Sequence, residues 1–378
     1  MGIYQEEHEI FRSSLRKFIE KEIEPFIEEW EENKEIPRSL WKKLGQQGFL
    51  CTWVDEQYGG SGVGFEYSVI VIEELGRVNV GLGIITHCDI LTPYIAEFGT
   101  EEQKEKWLPG CTTGDIILSI AMTEPNTGSD LQAIKTTAVK DGDDYIINGQ
   151  KTFITNGLSS DVVILACKTD TKGDASAGIS LICVETGSPG YIKGRKLNKM
   201  GLHIEDTAEL FFDNCRVPQK NLIGQEGKGF GYLMQKLQRE RLVTCSWGQA
   251  LAERMLRDVI EYAKSREAFG RPIGDFQHNA FKIAEIATEV ELGRAFLDRL
   301  LEDFMAGKDI VTRVSMAKWW IAEMANRVAY DCLQLHGGYG YMEEYPIARL
   351  YRDVRAQNLY AGTTEIMKMI IARNLGFR

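Results

Sequence analysis

One carboxylate stands out by the company it keeps. Leu233, Leu237, Glu240, Thr244, Trp247 and Leu251 fall at i, i+4, i+7, i+11, i+14 and i+18, one mostly apolar face of a helix. A glutamate on such a stripe has a raised pKa, which suits a base that must abstract a proton. The competing reading pairs Glu240 with Lys236 on a solvated face, a contact of about a few tenths of a kcal/mol. The lysine-first order is the weaker one, and the stripe argues against exposure. Near the end of the chain, Gly337 and Gly338 open a loop where backbone can approach a ligand closely. Gly362-Thr363-Thr364 then puts hydroxyls at a helix start, where free N–H groups can face phosphate or ring oxygens.

Three further stretches have an ordinary local reading. Ala121-Met122-Thr123-Glu124-Pro125-Asn126-Thr127-Gly128-Ser129-Asp130 reads as a Pro/Gly turn with a capping hydroxyl or carboxylate. Lys151-Thr152-Phe153-Ile154-Thr155-Asn156-Gly157 reads as a strand and turn. Ser265 to Ile273 reads as a helix end, with Gly270 as cap and Pro272 beyond it.

The elements that must position these residues come in three blocks. Residues 1–115 are helical, with Ile10, Leu15, Phe18, Ile19, Ile23 and Phe26 near helical spacing and further helices over Phe65–Leu75, Gly81–Ile90 and Glu102–Leu108. Residues 116–228 turn to β-rich runs at Thr136–Lys140, Tyr145–Ile147, Val162–Cys167 and Ile179–Val184, with Asp141-Gly142 and Asn148-Gly149 as hairpin signals and a polar loop over 169–177. This predicts a compact antiparallel barrel or sandwich. Residues 229–378 return to long helices, one marked by Ile283, Ile286, Ala287, Val290, Leu297, Leu300 and Leu301, another by Ala317–Cys332.

The chain's 378 residues suffice for two or three domains, and 44% hydrophobic with 26% charged residues is ordinary for a globular protein. A net charge of −11 argues against broad attraction to nucleic acid or anionic membrane, so an anionic substrate must be held by local arginines. The eight scattered cysteines form no Cys-x-x-Cys, which argues against a zinc site or thiol-redox motif and for a reducing compartment. No metal is expected. The acidic start has neither signal-peptide nor transit-peptide character, no apolar run reaches membrane-spanning length, and a cytoplasmic location is expected.

Taken together and in order, the separated motifs resemble those of the acyl-CoA dehydrogenase flavoprotein family, and the likeness covers essentially the whole chain. The family's fold is an N-terminal α-helical domain, a central antiparallel β-barrel and a C-terminal four-helix bundle. Its cofactor is FAD. The resemblance implies that Ala121, Met122, Thr123, Gly128 and Ser129 contact the flavin, with Ser129 also reaching the CoA part of the substrate. Phe153, Ile154 and Thr155 would lie on the flavin, Thr155 near its reactive edge; Phe153 stands where many relatives have Trp. Arg266 would meet the FAD pyrophosphate, a partner suited to a guanidinium, with Phe269 and Gln277 nearby. Gln334, Gly337 and Gly338 would serve the FAD of a neighbouring subunit, which implies a homo-oligomer, usually a tetramer built as a dimer of dimers. Thr363 and Glu365 would lie on the cofactor side, while Gln238, Arg241, Ala361 and Gly362 would touch substrate.

Many members carry the catalytic glutamate where this chain has Ala361. The isovaleryl-type and long-chain-type enzymes instead carry Glu-Arg-Leu at the place of Glu240-Arg241-Leu242, with a small residue at the place of Ala361. Glu365, one helical turn further on, matches an ordinary cofactor-side residue. The resemblance thus implies α,β-dehydrogenation of an acyl-CoA thioester, with Glu240 as base and an electron-transfer flavoprotein as acceptor. Alternatives on the same fold are an enoyl-CoA reductase, an acyl-CoA oxidase, a flavin monooxygenase using loosely held FMN, and a non-catalytic acyl-CoA or flavin-binding protein. Acyl chain length and branching are not legible, although Gly81 and Gly83 could leave room in a pocket.

Overall fold

The computed structural model describes residues 4–170 and 178–377, so residues 171–177 of the predicted polar loop lie outside it. The chain opens with α1 (Glu6–Glu22), α2 (Ile27–Asn33), α3 (Arg38–Gln46), α4 (Phe65–Val78), α5 (Leu82–Ile85), α6 (Thr92–Phe98) and α7 (Glu101–Thr113). α1 places Glu6, Glu7 and Glu9 in its first turn, where carboxylates complement the helix dipole, and buries Leu15 and Ile19. The predicted helix over Gly81–Ile90 is interrupted. Gly81 is left-handed at φ 100°, α5 lasts four residues, and a π turn over Thr86–Leu91 leads straight into α6.

Eight strands follow: β1 (Leu118–Ala121), β2 (Thr137–Asp141), β3 (Asp144–Thr155), β4 (Val162–Lys168), β5 (Ile179–Glu185), β6 (Tyr191–Lys196), β7 (Thr207–Pro218) and β8 (Leu222–Ile223). They form one sheet in the order β6-β7-β3-β2-β4-β5-β8, with β1 also beside β4. The expected closed antiparallel barrel is not what forms. β6 and β8 end the order without pairing to each other, and β1 runs parallel to β4 through Leu118–Ala121. β2 meets β4 only at Thr137 and Lys168, so the sheet is nearly split there and does not wind continuously round.

The Asp141-Gly142 hairpin is present: Asp141 pairs with Asp144 across Gly142 at φ 60°. Asn148-Gly149 is not a hairpin but a bulge inside β3. A Cβ on Gly149 would lie 2.5 Å from Thr136 Oγ1, so glycine is there for close approach. β7 has no counterpart among the predicted strands; within it, Asn148 Oδ1 accepts Asn214 N–H at 2.8 Å.

The last block holds α8 (Gly229–Ser265), the two-residue strands β9 (Glu267–Ala268) and β10 (Arg271–Pro272), α9 (Gln277–Met305), α10 (Val311–His336), α11 (Pro346–Val354) and α12 (Thr364–Asn374). α10 packs on α8, α9, α11 and α12. α8 is buried on every side from Glu240 to Ala252 and along one face beyond that stretch, at Leu233 before it and at Met255 and Val259 after it. α4 also packs on α8, so closely that a Cβ on Gly76 would lie 2.7 Å from the Ala250 Cβ. This contact brings α6 and the π turn alongside the part of α8 that carries Glu240.

Candidate active site

Glu240 is 5% exposed on α8, and Tyr94 of α6 donates its hydroxyl to Glu240 Oε1 at 2.7 Å. Burial pushes the Glu240 carboxyl up to about 7, against the pull of the Tyr94 hydrogen bond and the Arg241 and Lys236 cations. The stripe therefore behaves as its spacing predicts. Lys236 is not the partner of Glu240: its ammonium bonds Glu97 of α6 instead, and burial lowers its pKa to about 8. Arg239 reaches Asp89 in the π turn at 2.8 Å and lies 4.5 Å from the Trp53 ring centroid.

The C-terminal stretch arrives at the same helix. Ala361 and Gly362 are both left-handed, at φ 51° and 91°. Thr363 then caps α12 by accepting Ile366 N–H, the helix start its sequence suggests. A Cβ on Gly362 would lie 3.9 Å from Arg241 Nη2, which puts the predicted substrate-side residues Gly362 and Arg241 together. Arg241 is buried and its Nη1 lies 3.4 Å from Ser315 Oγ, while its Nε has no partner among the described residues. Gln238 is differently engaged, since its carbonyl accepts Ile310 N–H where α10 begins. Beneath the stretch, buried Lys318 donates to the carbonyls of Gln357 and Gly362, each at 2.7 Å. Burial brings Lys318 down to about 8.

The two sheet motifs are tied to each other. Thr152 N–H donates to Thr123 O at 2.9 Å, and Lys151 Nζ donates to Met122 O and Glu124 Oε1, both at 2.9 Å. Glu124 also accepts Lys135 N–H, Thr136 N–H and the Thr136 hydroxyl, so its buried charge is fully hydrogen-bonded. Ala121 and Ile154 point into the sheet core, so only their backbone is free for a ligand. Phe153 sits at φ 59° in a bulge of β3 and is 69% exposed, beside half-buried Thr155. Met122 and Thr123 are half-buried, Gly128 and Ser129 exposed.

Away from Glu240, a cleft of about 780 Å³ is lined by Arg266, Gln334, Gly337 and Gly338, with Tyr262 and Tyr339 as aromatic walls. The Arg266 guanidinium lies 5.1 Å from the Tyr339 ring centroid. A single ligand in this cleft would thus meet Arg266 and the glycine loop from one chain. Phe269 is 96% exposed, and Gln277 and Glu365 are exposed at the starts of α9 and α12.

Comparison with known proteins gives the same answer along the whole length. Models of the acyl-CoA dehydrogenase N-terminal, middle and C-terminal domains match residues 5–115, 119–215 and 227–376. The chain belongs to the acyl-CoA dehydrogenase family. It is 48% identical to the mitochondrial long-chain specific acyl-CoA dehydrogenase of Sus scrofa, over 99% of this chain and 87% of that one. It is 39% identical to an acyl-CoA dehydrogenase of Bacillus subtilis, over 98% of each. The crystal structure of an acyl-CoA dehydrogenase from Geobacillus kaustophilus, 58% identical, covers all of both chains with a TM-score of 0.99.

Acyl-CoA dehydrogenases are FAD-dependent flavoproteins, and the residues here fit that cofactor. The cleft offers an exposed guanidinium for a pyrophosphate, open space beside Gly337 and Gly338, and aromatic walls for flat rings. No helix among the described residues is long and apolar enough to cross a membrane.

Three groups escaped the sequence reading: Tyr94, Lys318 and the Lys151–Glu124 pair. Lys151 and Glu124 lie within the two sheet motifs, and only their burial reveals the pair. Two of the scattered cysteines, Cys51 and Cys88, also meet, around His87. Ligand atoms of Cys51, His87 and Cys88 lie within 4.8 Å of one another. His87 Nδ1 accepts Leu118 N–H and Nε2 lies 3.1 Å from Cys111 O, so both ring nitrogens are already engaged. Gly83, expected to leave room for substrate, instead faces Asn156 Oδ1, which a Cβ would approach to 2.3 Å.

Proposed function

We propose that the chain dehydrogenates an acyl-CoA thioester to the trans-2-enoyl-CoA, with Glu240 as the base and an electron-transfer flavoprotein as the acceptor of the electrons. The observation that carries this reading is a buried carboxylate poised near neutrality on α8, next in the chain to Arg241, whose guanidinium lies against Gly362. An α-proton next to a thioester is far too weakly acidic for a carboxylate in water. Burial strengthens the base, and the Ala361 backbone N–H stabilises the enolate-like oxygen. Bound FAD supplies the acceptor for the β-hydrogen, which leaves with its electron pair as hydride. Arg241 and Gly362 orient the thioester, Ser129 meets the CoA part, and Thr123 and Thr155 hold the flavin edge. Arg266, Gln334, Gly337 and Gly338 hold the far half of the FAD of a neighbouring subunit, so the working form is a homo-oligomer. The small Ala361 side chain leaves the space that a glutamate at that position would take.

Replacing Glu240 by Gln keeps size and the Tyr94 hydrogen bond while removing the base. Turnover with acyl-CoA should fall by about a thousandfold or more while FAD stays bound. Full activity of Glu240→Gln overturns the assignment. Anaerobic bleaching of the flavin by a panel of acyl-CoA thioesters identifies the preferred chain.

A further inference from the structure

Glu240 is one of several places where α8 is fastened to the segment Thr86–Phe98, Gln235 bonding Glu97 at 2.9 Å among them. Arg239 bonds Asp89, Glu240 bonds Tyr94, and Lys236 bonds Glu97. The outer two are ion pairs. The middle one joins a neutral hydroxyl to the candidate base, and both partners are buried. A π turn carries one more residue per turn than an α-helix, so the turn at Thr86–Leu91 rotates everything after it by about 100°. That rotation sets the face on which Tyr94 and Glu97 meet α8.

We propose that Tyr94 is a positioning residue for Glu240, holding Oε1 so that Oε2 is the oxygen presented to the substrate proton and tuning the ease with which the carboxyl ionises. The inference rests on the reading of Glu240 as base. Among the described residues, Tyr94 O–H has no other acceptor and Oε2 has no hydrogen bond. The other charges that bear on Glu240 come from its own helix: Arg241, and Lys236 one turn back, already committed to Glu97. From α6, Tyr94 is the group that faces it. A hydroxyl donating to the carboxylate stabilises the ionised form, so it offsets part of the burial penalty.

The test is the pH dependence of kcat/KM in the FAD-loaded enzyme. Its acidic limb reports the ionisation of the base in the free enzyme. Tyr94→Phe should move that limb to higher pH by about one unit, the loss of one hydrogen bond to a charged group. 3-Fluorotyrosine placed at position 94 is a stronger donor of nearly the same shape, and should move the limb to lower pH. A structural role alone moves neither. Infrared difference spectra across neutrality should show the protonated-carboxyl band of Glu240 persisting to higher pH in Tyr94→Phe, independently of turnover. Limbs and band unchanged in both variants overturn the proposal. If Glu240→Gln retains turnover, the base assignment itself has failed; if Glu240→Gln is inactive and the limbs do not move, only the role of Tyr94 has failed.

Discussion

A buried carboxylate with a raised pKa costs the fold something whenever it is ionised. The folded-state value of about 7 for Glu240 exceeds the ordinary 4.5, so the folded state binds the extra proton between those values. Stability therefore falls as pH rises through that window and stays lower above it, by roughly 3 kcal/mol in all. Glu240→Gln removes the titration and keeps the contact to Tyr94. Thermal unfolding at fixed protein and FAD concentrations should find the variant more stable than the parent at alkaline pH, with the gap closing as pH falls toward that of an ordinary carboxylate. A gap independent of pH counts against the raised value. The same logic separates Glu240 from Glu365, which is exposed at a helix start where a hydrogen bond from the backbone and then the Thr363 contact lower its pKa, the opposite of what a base requires.

At the scale of elements, the loop before α12 is held from below. Lys318 of α10 is 2% exposed and places one ammonium on two backbone carbonyls, those of Gln357 and Gly362. Ala361 and Gly362 together need two left-handed residues in a row, a conformation that costs an alanine about 1–2 kcal/mol. The ammonium offsets that cost by satisfying the carbonyl that follows. Lys318→Met keeps the stem and removes the donor, leaving two acceptors unpaired. The expected loss is about 2 kcal/mol of stability, together with a raised KM for acyl-CoA because Gly362 faces Arg241. An unchanged melting temperature and KM would show that the loop holds itself.

At the scale of the molecule, one chain leaves large apolar side chains uncovered. Phe269 is 96% exposed and left-handed at φ 52°, and Phe281 and Tyr341 are 60% and 81% exposed. A residue so placed gains nothing in an isolated chain, and exposed apolar surface of this kind marks an interaction surface. We propose that FAD and the neighbouring subunit cover it in the oligomer. Phe269→Asp should leave the unfolding of the helical core unchanged while lowering both the mass seen by light scattering and the FAD content. An unaltered mass and full FAD occupancy would remove Phe269 from the interface.

Periodicity determined the long helices and that Glu240 is buried, because a helix places every third or fourth side chain in one environment; that α8 is buried on every side from Glu240 to Ala252 came from packing. The order of the sheet motifs and glycine loops carried the family. The sequence did not determine how the strands associate. Asn148-Gly149 has the local chemistry of a hairpin, yet pairing with β7 makes it a bulge, and β1 takes the edge of β4 that β2 meets only at Thr137 and Lys168. Nor could spacing find Tyr94, which lies 146 positions from Glu240 and meets it only because a π turn rotates α6 and α4 seats the N-terminal helices on α8. The chemistry of the base was written in one stretch of chain; its partner was decided by packing, since burial and cross-helix contacts are properties of the assembled fold.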